Sequence, residues 1–185
     1  MSLSHQGWIR ITTLMIKLTY RDGKLPHSRA TFFDKDGTLV VDQGFVHKLS
    51  DFKWSLQGLL ILRLSSILKR SNFVVTNQSG INKKIFTKQN SIDYCNHLYS
   101  QAKQKKCEII AIYICPHVSY QCECRKPKPM TFNDAFKSFS FDKCKVLMVG
   151  NSLDDKNFAK NIGAKYIDVN SRFAWLNFLT KAFLN

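Results

Sequence analysis

The stretch TFFDKDGTLVVDQGF, Thr31 to Phe45, decides the fold. An apolar run ends in two aspartates, Asp34 and Asp36, which stand one residue apart and are followed by Gly-Thr. Two carboxylates this close repel one another, so the pair needs a cation, a proton or open water. In a parallel sheet, ligands collect beyond the carboxyl ends of the strands, which is where this pair would stand.

Apolar runs alternate with helical patterns along the rest of the chain, and this order predicts a doubly wound α/β fold. Runs rich in β-branched and aromatic residues predict strands at 30–33, 73–76, 109–115, 145–150 and 165–169. The apolar spacing predicts helices at 56–70, 87–105, about 129–138, 154–162 and 172–183. We therefore expect one parallel sheet with helices on both faces, formed by residues 30–185.

Residues 1–29 precede this alternation, and we assign them no chemistry. Their sequence WIRITTLMIKLTYRDGK predicts a strand pair or an added edge strand, with a turn at Asp22-Gly23. We treat this segment as an N-terminal extension of unknown role.

The composition excludes several classes of protein. A hydrophobic content of 44% argues against disorder, and no apolar run approaches the roughly 18–20 residues of a membrane span. Arg10 and Lys17 interrupt any signal-peptide pattern, so we expect a cytoplasmic protein with no membrane partner. We also expect it to be a monomer. The net charge of +15 allows a nucleic-acid partner, but the lysines are scattered and no nucleic-acid-binding motif accompanies them. We favour a small anionic substrate, which a basic protein also attracts.

Asp34 and Asp36 have the chemistry of phosphoryl transfer if a divalent cation screens them. A carboxylate at a strand end can attack phosphorus, and a carboxylic acid two residues further can protonate the leaving oxygen and then deprotonate water. The residues alone leave a solvated Asp-Gly turn open as the alternative. An EF-hand is excluded, because Gly37 comes too early for that loop.

Polar clusters also follow the other predicted strands. The segment TNQSG, which contains Thr76, can cradle phosphoryl oxygens, and Arg125 and Lys126 in CRKPKP can neutralise a phosphoryl group. Each signal is weak alone, because Thr-Asn turns and basic loops are common. Together they predict one convergent site at the carboxyl edge of the sheet.

Three cysteines and a histidine lie within ten residues, at Cys115, His117, Cys122 and Cys124. This is the ligand inventory of a closed tetrahedral zinc site. A Cys122–Cys124 disulfide would be strained, and a chance group of buried cysteines is the remaining alternative. Because Cys124 adjoins Arg125, a zinc-tied loop would hold Arg125 in place, so we expect the zinc to be structural.

The combination of DKDGT, TNQSG and CPH…CECRKP resembles the haloacid-dehalogenase-like (HAD) phosphatases over about residues 31–168. Within them the chain is similar to the zinc-containing branch of D-glycero-D-manno-heptose 1,7-bisphosphate phosphatases and histidinol-phosphate phosphatases. VDQGFVHK and TNQSGI are closer to the heptose enzymes, which serve cell-surface heptose synthesis. The resemblance implies a HAD-like fold with a zinc-stapled loop, no large cap domain and a small sugar phosphate as substrate. Two alternatives stay open: a phosphatase that acts on histidinol phosphate, and a catalytically weakened binding protein of the same fold.

The resemblance also implies a role for each site residue. Asp34 would be the nucleophile that forms a phospho-aspartate, Asp36 the general acid/base, and Thr76 and Lys126 would stabilise the transferring group. The residues that would contact substrate are Asp42, Gln43, Gly44, Phe45, Asn77, Gln78, Ser79 and Arg125. The magnesium ligands would be Asp34, the Asp36 backbone carbonyl, Asn151 and Asp155, and the zinc ligands Cys115, His117, Cys122 and Cys124.

Gly150-Asn151 stands where the family has Gly-Asp. An amide oxygen is still a ligand for magnesium but carries no charge, so we expect weaker magnesium binding. Asp154 or Asp155 can compensate through a water molecule.

Overall fold

A computed structural model describes residues 8–11, 15–21, 27–119 and 121–183. The strands are β1 Trp8–Ile11, β2 Ile16–Thr19, β3 Ala30–Phe33, β4 Ser71–Asn77, β5 Ala111–Cys115, β6 Val146–Gly150 and β7 Lys165–Asp168. The helices are α1 Leu56–Ile67, α2 Lys88–Gln104, α3 Met130–Phe139, α4 Leu153–Asn161 and α5 Ala174–Phe183. Within the described part of the chain, no helix is both long and apolar enough to cross a membrane.

One sheet carries all seven described strands, in the order β1-β2-β5-β4-β3-β6-β7. The five strands from β3 onward pair in parallel, which confirms the predicted α/β fold. Sequence reasoning placed each of these strands to within about two residues of its ends.

The N-terminal segment adds an antiparallel pair to this sheet. β1 pairs with β2, and β2 pairs with the outer edge of β5, where Ile16 lies opposite Ile114. The predicted strand pair is therefore confirmed, and it also supplies the added edge. The predicted turn at Asp22-Gly23 lies outside the described residues, and the division into an extension, 1–29, and a phosphatase domain, 30–185, stays a prediction.

Helices cover both faces of the sheet because its central strands are buried on both sides. The side chains of β3 are all buried, as a continuous apolar strand requires. Helices α1, α2 and α5 share one apolar core with one face of the sheet, and α3 and α4 share a second core with the other. The arrangement leaves the carboxyl edge of the parallel strands for polar side chains.

Helix α1 packs directly on the loop that follows β3. A Cβ atom on Gly58 would lie only 1.9 Å from the Thr38 carbonyl oxygen, so this close approach requires glycine. Ser55 caps the helix by accepting a hydrogen bond from the Gly58 N–H. The helix ends at Ile67, earlier than the predicted residue 70, and Lys69 then adopts a left-handed backbone with φ of 53°.

Candidate active site

Asp34 and Asp36 lie on the turn that leaves β3 at the carboxyl edge. The Asp34 N–H donates to the Val149 carbonyl of β6 at 2.9 Å, which holds the turn between the two strands. Gly37 has a φ of 76°, and a Cβ atom there would lie 2.3 Å from Asn151 Nδ2. Glycine is therefore required at position 37 for two reasons: the positive φ of the backbone and the close approach of the Asn151 side chain.

Lys126 joins two carboxylates at the centre of the site. Its Nζ lies 2.5 Å from Asp34 Oδ1 and 2.6 Å from Asp155 Oδ1, and all three side chains are buried. Burial raises the pKa of Asp34 to about 7, and the Lys126 ammonium opposes that rise. Burial also disfavours the charged form of Asp155, but Lys126 and donors from Ser152 outweigh it and hold the pKa of Asp155 below its ordinary value. Asp155 is thus the standing anionic partner of Lys126, and Asp34 is the carboxylate available for chemistry.

Asp155 is fixed by the N-terminus of α4. Its Oδ2 accepts from the N–H of Asn151 at 3.2 Å, the N–H of Ser152 at 3.1 Å and the Ser152 hydroxyl at 2.7 Å. Ser152 is the N-cap and Asp155 the third helical residue, which together form a capping box. Both oxygens of Asp155 accept hydrogen bonds from protein groups, and its role as a magnesium ligand stays a prediction.

Asn151 meets the first motif through its side chain. Its Oδ1 accepts from the Thr38 hydroxyl at 3.2 Å, while its Nδ2 lies over Gly37. The structure therefore brings the amide oxygen predicted to bind magnesium to the turn that carries Asp34 and Asp36.

The Asp36 carboxylate accepts hydrogen bonds from two side chains. The sequence did not predict either contact. Lys35 Nζ donates to Asp36 Oδ1 at 2.6 Å, and Gln78 Nε2 donates to Asp36 Oδ2 at 2.6 Å. The same Gln78 amide donates to Thr76 Oγ1 at 2.8 Å, so it links the predicted acid to the predicted phosphoryl-binding hydroxyl. The sequence signal for Lys35 was its position, a lysine between two aspartates at the end of a buried strand.

Asn77 holds the backbone of Lys126. Its Oδ1 accepts from the Lys126 N–H at 3.0 Å, and its Nδ2 donates to the Lys126 carbonyl at 3.2 Å. Arg125 is held similarly, because its Nη1 donates to the His117 carbonyl at 3.2 Å. Both residues lie at the predicted site, and their contacts with substrate stay a prediction.

Residues 42–45 form an exposed rim beside these groups. The adjoining His47 ring stacks on Phe86 with centroids 4.8 Å apart, and a Cβ atom on Gly80 would lie 2.9 Å from Phe45 Cδ1. The rim therefore packs on the segment that follows β4. Ser79 begins that segment and is partly exposed. The contacts of residues 42–45 and Ser79 with substrate stay a prediction.

The four predicted zinc ligands form one cluster beside Arg125. Their ligand atoms all lie within 4.8 Å of one another. Cys124 Sγ lies 3.1 Å from Cys115 Sγ, 3.5 Å from Cys122 Sγ and 3.4 Å from His117 Nδ1. Zinc with Zn–S bonds of about 2.3 Å places tetrahedral sulfur ligands about 3.8 Å apart. The Sγ–Sγ distances of 3.1 and 3.5 Å are shorter than this, but three thiols and an imidazole are the ligand set that zinc prefers.

Comparisons with known proteins agree with this geometry. A family model described as HAD-hydrolase-like matches residues 123–172. The D-glycero-beta-D-manno-heptose-1,7-bisphosphate 7-phosphatase of Photorhabdus laumondii is 31% identical over 151 residues, which cover 75% of this chain and 79% of the relative. The enzyme of the same name from Haemophilus ducreyi is 34% identical over 148 residues, covering 74% and 80%.

Solved structures share the fold. A HAD-like phosphatase from Mesorhizobium loti superposes with a TM-score of 0.80 at 20% identity, covering 97% of this chain and 95% of the other. The D,D-heptose 1,7-bisphosphate phosphatase of B. bronchiseptica, complexed with magnesium and phosphate, has a TM-score of 0.68 at 25% identity and covers 75% and 78%. The chain therefore belongs to the HAD-like phosphatases, in the branch of the D-glycero-D-manno-heptose-1,7-bisphosphate 7-phosphatases.

Proposed function

We propose that the chain is a magnesium-dependent phosphomonoester hydrolase that removes the C7 phosphate of D-glycero-D-manno-heptose 1,7-bisphosphate. The observation that carries the proposal is the buried cluster of Asp34, Lys126 and Asp155, with Asp36 and Thr76 beside it. The names of the relatives supply the substrate. Action as a cytoplasmic monomer, with no nucleic-acid partner, stays a prediction.

The first chemical step transfers the phosphoryl group to Asp34. A carboxylate oxygen of Asp34 attacks phosphorus, and the bond from phosphorus to the C7 oxygen breaks. Asp36 gives its proton to that leaving oxygen and becomes a carboxylate. The Lys126 ammonium and the Thr76 hydroxyl donate hydrogen bonds to the phosphoryl oxygens as charge develops on them.

The second step releases phosphate. Asp36 takes a proton from a water molecule, whose oxygen attacks phosphorus as the bond to Asp34 breaks. Asp34 is restored as a carboxylate and Asp36 as a carboxylic acid. Asp155 stays anionic through both steps and keeps Lys126 positively charged and in place.

The residues present fit both metals. Asp34, the Asp36 carbonyl and Asn151 are oxygen donors, as magnesium requires, and Asn151 lies against the turn that holds the two aspartates. Magnesium, when bound, screens the charge between Asp34 and the incoming phosphate. Zinc suits the three thiols and the imidazole, and it would fix the loop that leads into Arg125.

Phosphate release by the purified protein tests the proposal. The substrates are the alpha and beta anomers of the heptose 1,7-bisphosphate, with histidinol phosphate alongside, across a magnesium titration. Selective release from C7 of the heptose is expected. Relatives named for the beta anomer and for the alpha anomer both match, the latter from Campylobacter jejuni at 29% identity, so the assay also decides between them. No release from a folded, zinc-loaded sample at saturating magnesium would refute the proposal, and release from histidinol phosphate alone would replace the substrate.

A further inference from the structure

Lys35, which separates the two aspartates, is a buried cation. Its side chain is 1% exposed, and lysine is almost never buried this fully unless its charge is paired. Its Nζ donates to Asp36 Oδ1 at 2.6 Å and to the Val46 carbonyl at 3.4 Å, and lies 4.4 Å from the centroid of the Tyr94 ring. A carboxylate, a carbonyl and an aromatic face thus surround the ammonium.

The two hydrogen-bond partners belong to different parts of the candidate site. Asp36 is the proposed general acid/base, whereas Val46 directly follows the rim of residues 42–45. One buried ammonium therefore ties the proton donor to the segment expected to contact substrate. Gln78, which is also buried, fixes the second oxygen of Asp36.

We propose that Lys35 is a positioning residue that sets the Asp36 carboxyl group against the leaving oxygen of the substrate. The inference rests on the proposed function, because it assigns Asp36 the proton transfer. When Asp36 gives its proton to the leaving oxygen, it becomes a carboxylate, and the Lys35 ammonium at 2.6 Å stabilises that product. Lys35 itself neither gains nor loses a proton.

The leaving group distinguishes this role from a purely structural one. An alkyl alkoxide needs a proton in order to leave, whereas p-nitrophenolate leaves readily without one. Loss of Lys35 should therefore lower kcat/KM, which reports the first step, far more for an alkyl phosphate than for p-nitrophenyl phosphate. Hydrolysis of the phospho-aspartate is common to both esters, so it does not enter this comparison. A general loss of folding or of magnesium would slow both alike.

The variants are K35M, which removes the charge, K35R, which keeps it, and K35Q, which keeps a neutral donor. K17M is the matched control, because Lys17 is also a largely buried lysine, bonded to Asp134 at 2.8 Å and lying over the rings of Tyr113 and Phe139. Lys17 lies on β2 against α3, away from the two aspartates. The readouts are kcat and KM for propyl phosphate, for p-nitrophenyl phosphate and for the heptose bisphosphate, together with melting temperature.

We expect K35M to lower kcat/KM for the alkyl esters by about 10²-fold, the lower end of what general acid–base catalysis contributes. On p-nitrophenyl phosphate the loss should be at most about fivefold, and K35R should recover most of the alkyl rate. If K35M does not fold, K35Q carries the same comparison. Equal losses on both classes of ester, or a K17M protein that behaves like K35M, overturn the inference. A wild-type protein that hydrolyses both simple esters but not the heptose refutes the proposed substrate and leaves this test intact, whereas silence on all three refutes the proposed function itself.

Discussion

Replacement of Asn151 by aspartate should strengthen magnesium binding. The buried cluster of Asp34, Asp155 and Lys126 has a formal charge of −1 when both carboxylates are ionised, and Asn151→Asp makes it −2. The change is nearly isosteric, so the new carboxylate keeps the place of the amide against Gly37.

The size of the effect follows from two opposing contributions. Unit charges about 4 Å apart at an effective dielectric constant of about 20 attract by about 4 kcal/mol, and a divalent cation doubles that. Desolvation of both charges offsets most of the gain, as it does for buried ion pairs. We expect a net gain of about 2 kcal/mol, which corresponds to about 30-fold tighter magnesium binding.

Phosphate release across a magnesium titration measures this shift, with Asn133→Asp as the control. Asn133 is exposed on α3, so the control adds the same charge without changing the cluster. Without magnesium the substitution should destabilise the protein, because a third carboxylate then lies close to a single ammonium group. We then expect Asn151→Asp to lose about 1 kcal/mol of stability, or about 2–4 °C in melting temperature. An unchanged half-maximal magnesium concentration, with both variants folded, shows that Asn151 is not a magnesium ligand.

Three further changes test the other parts of the site. Asp34→Asn should abolish turnover. The melting temperature at neutral pH should hold or rise, because burial raises the pKa of this carboxyl to about 7 and so disfavours its charged form. Residual turnover would exclude the phospho-aspartate. Lys126→Met should lower the free energy of unfolding in urea by about 3–5 kcal/mol, because Asp155 stays buried without its cation. It should also lower kcat by about 10²–10³-fold. Wild-type stability would show that the salt bridge contributes nothing. Cys122→Ser should lower both the zinc content and the melting temperature, whereas Ser at the exposed Cys144 should change neither; full zinc content in the first variant argues against the cluster.

The sequence predicted the fold well because the α/β pattern is a local signal. Each strand from β3 onward is a short apolar run, α3 and α5 have regular apolar spacing, and α1 is a Leu-rich segment too long for a strand. The bounds of these elements therefore follow within a few residues. The close approach of α1 to the first motif was beyond prediction, since it depends on the missing side chain of Gly58. The antiparallel pairing of β2 with β5 joins residues almost a hundred positions apart, and a short apolar run does not name its partner.

The sequence predicted which residues form the candidate site, but not the hydrogen bonds between them. Motif spacing brought Asp34 and Lys126 to one edge, and the structure places them in contact. Motif spacing could not show that Asn77 holds the Lys126 backbone, or that Gln78 bonds to Asp36. Those bonds depend on which way an amide side chain turns, and the identity of a residue does not specify that.

The pairing of β2 with β5 also affects the tendency of the protein to aggregate. Without β2, the apolar run Ala-Ile-Tyr-Ile-Cys of β5 would present a row of unpaired N–H and C=O groups at an open edge. Such an edge is a template on which a second chain can add a strand, and aggregation then follows. β1 in turn pairs with the other side of β2, so β2 is not left as an open edge either. The N-terminal strands therefore protect β5, which ends in the predicted zinc ligand Cys115, from pairing with another chain.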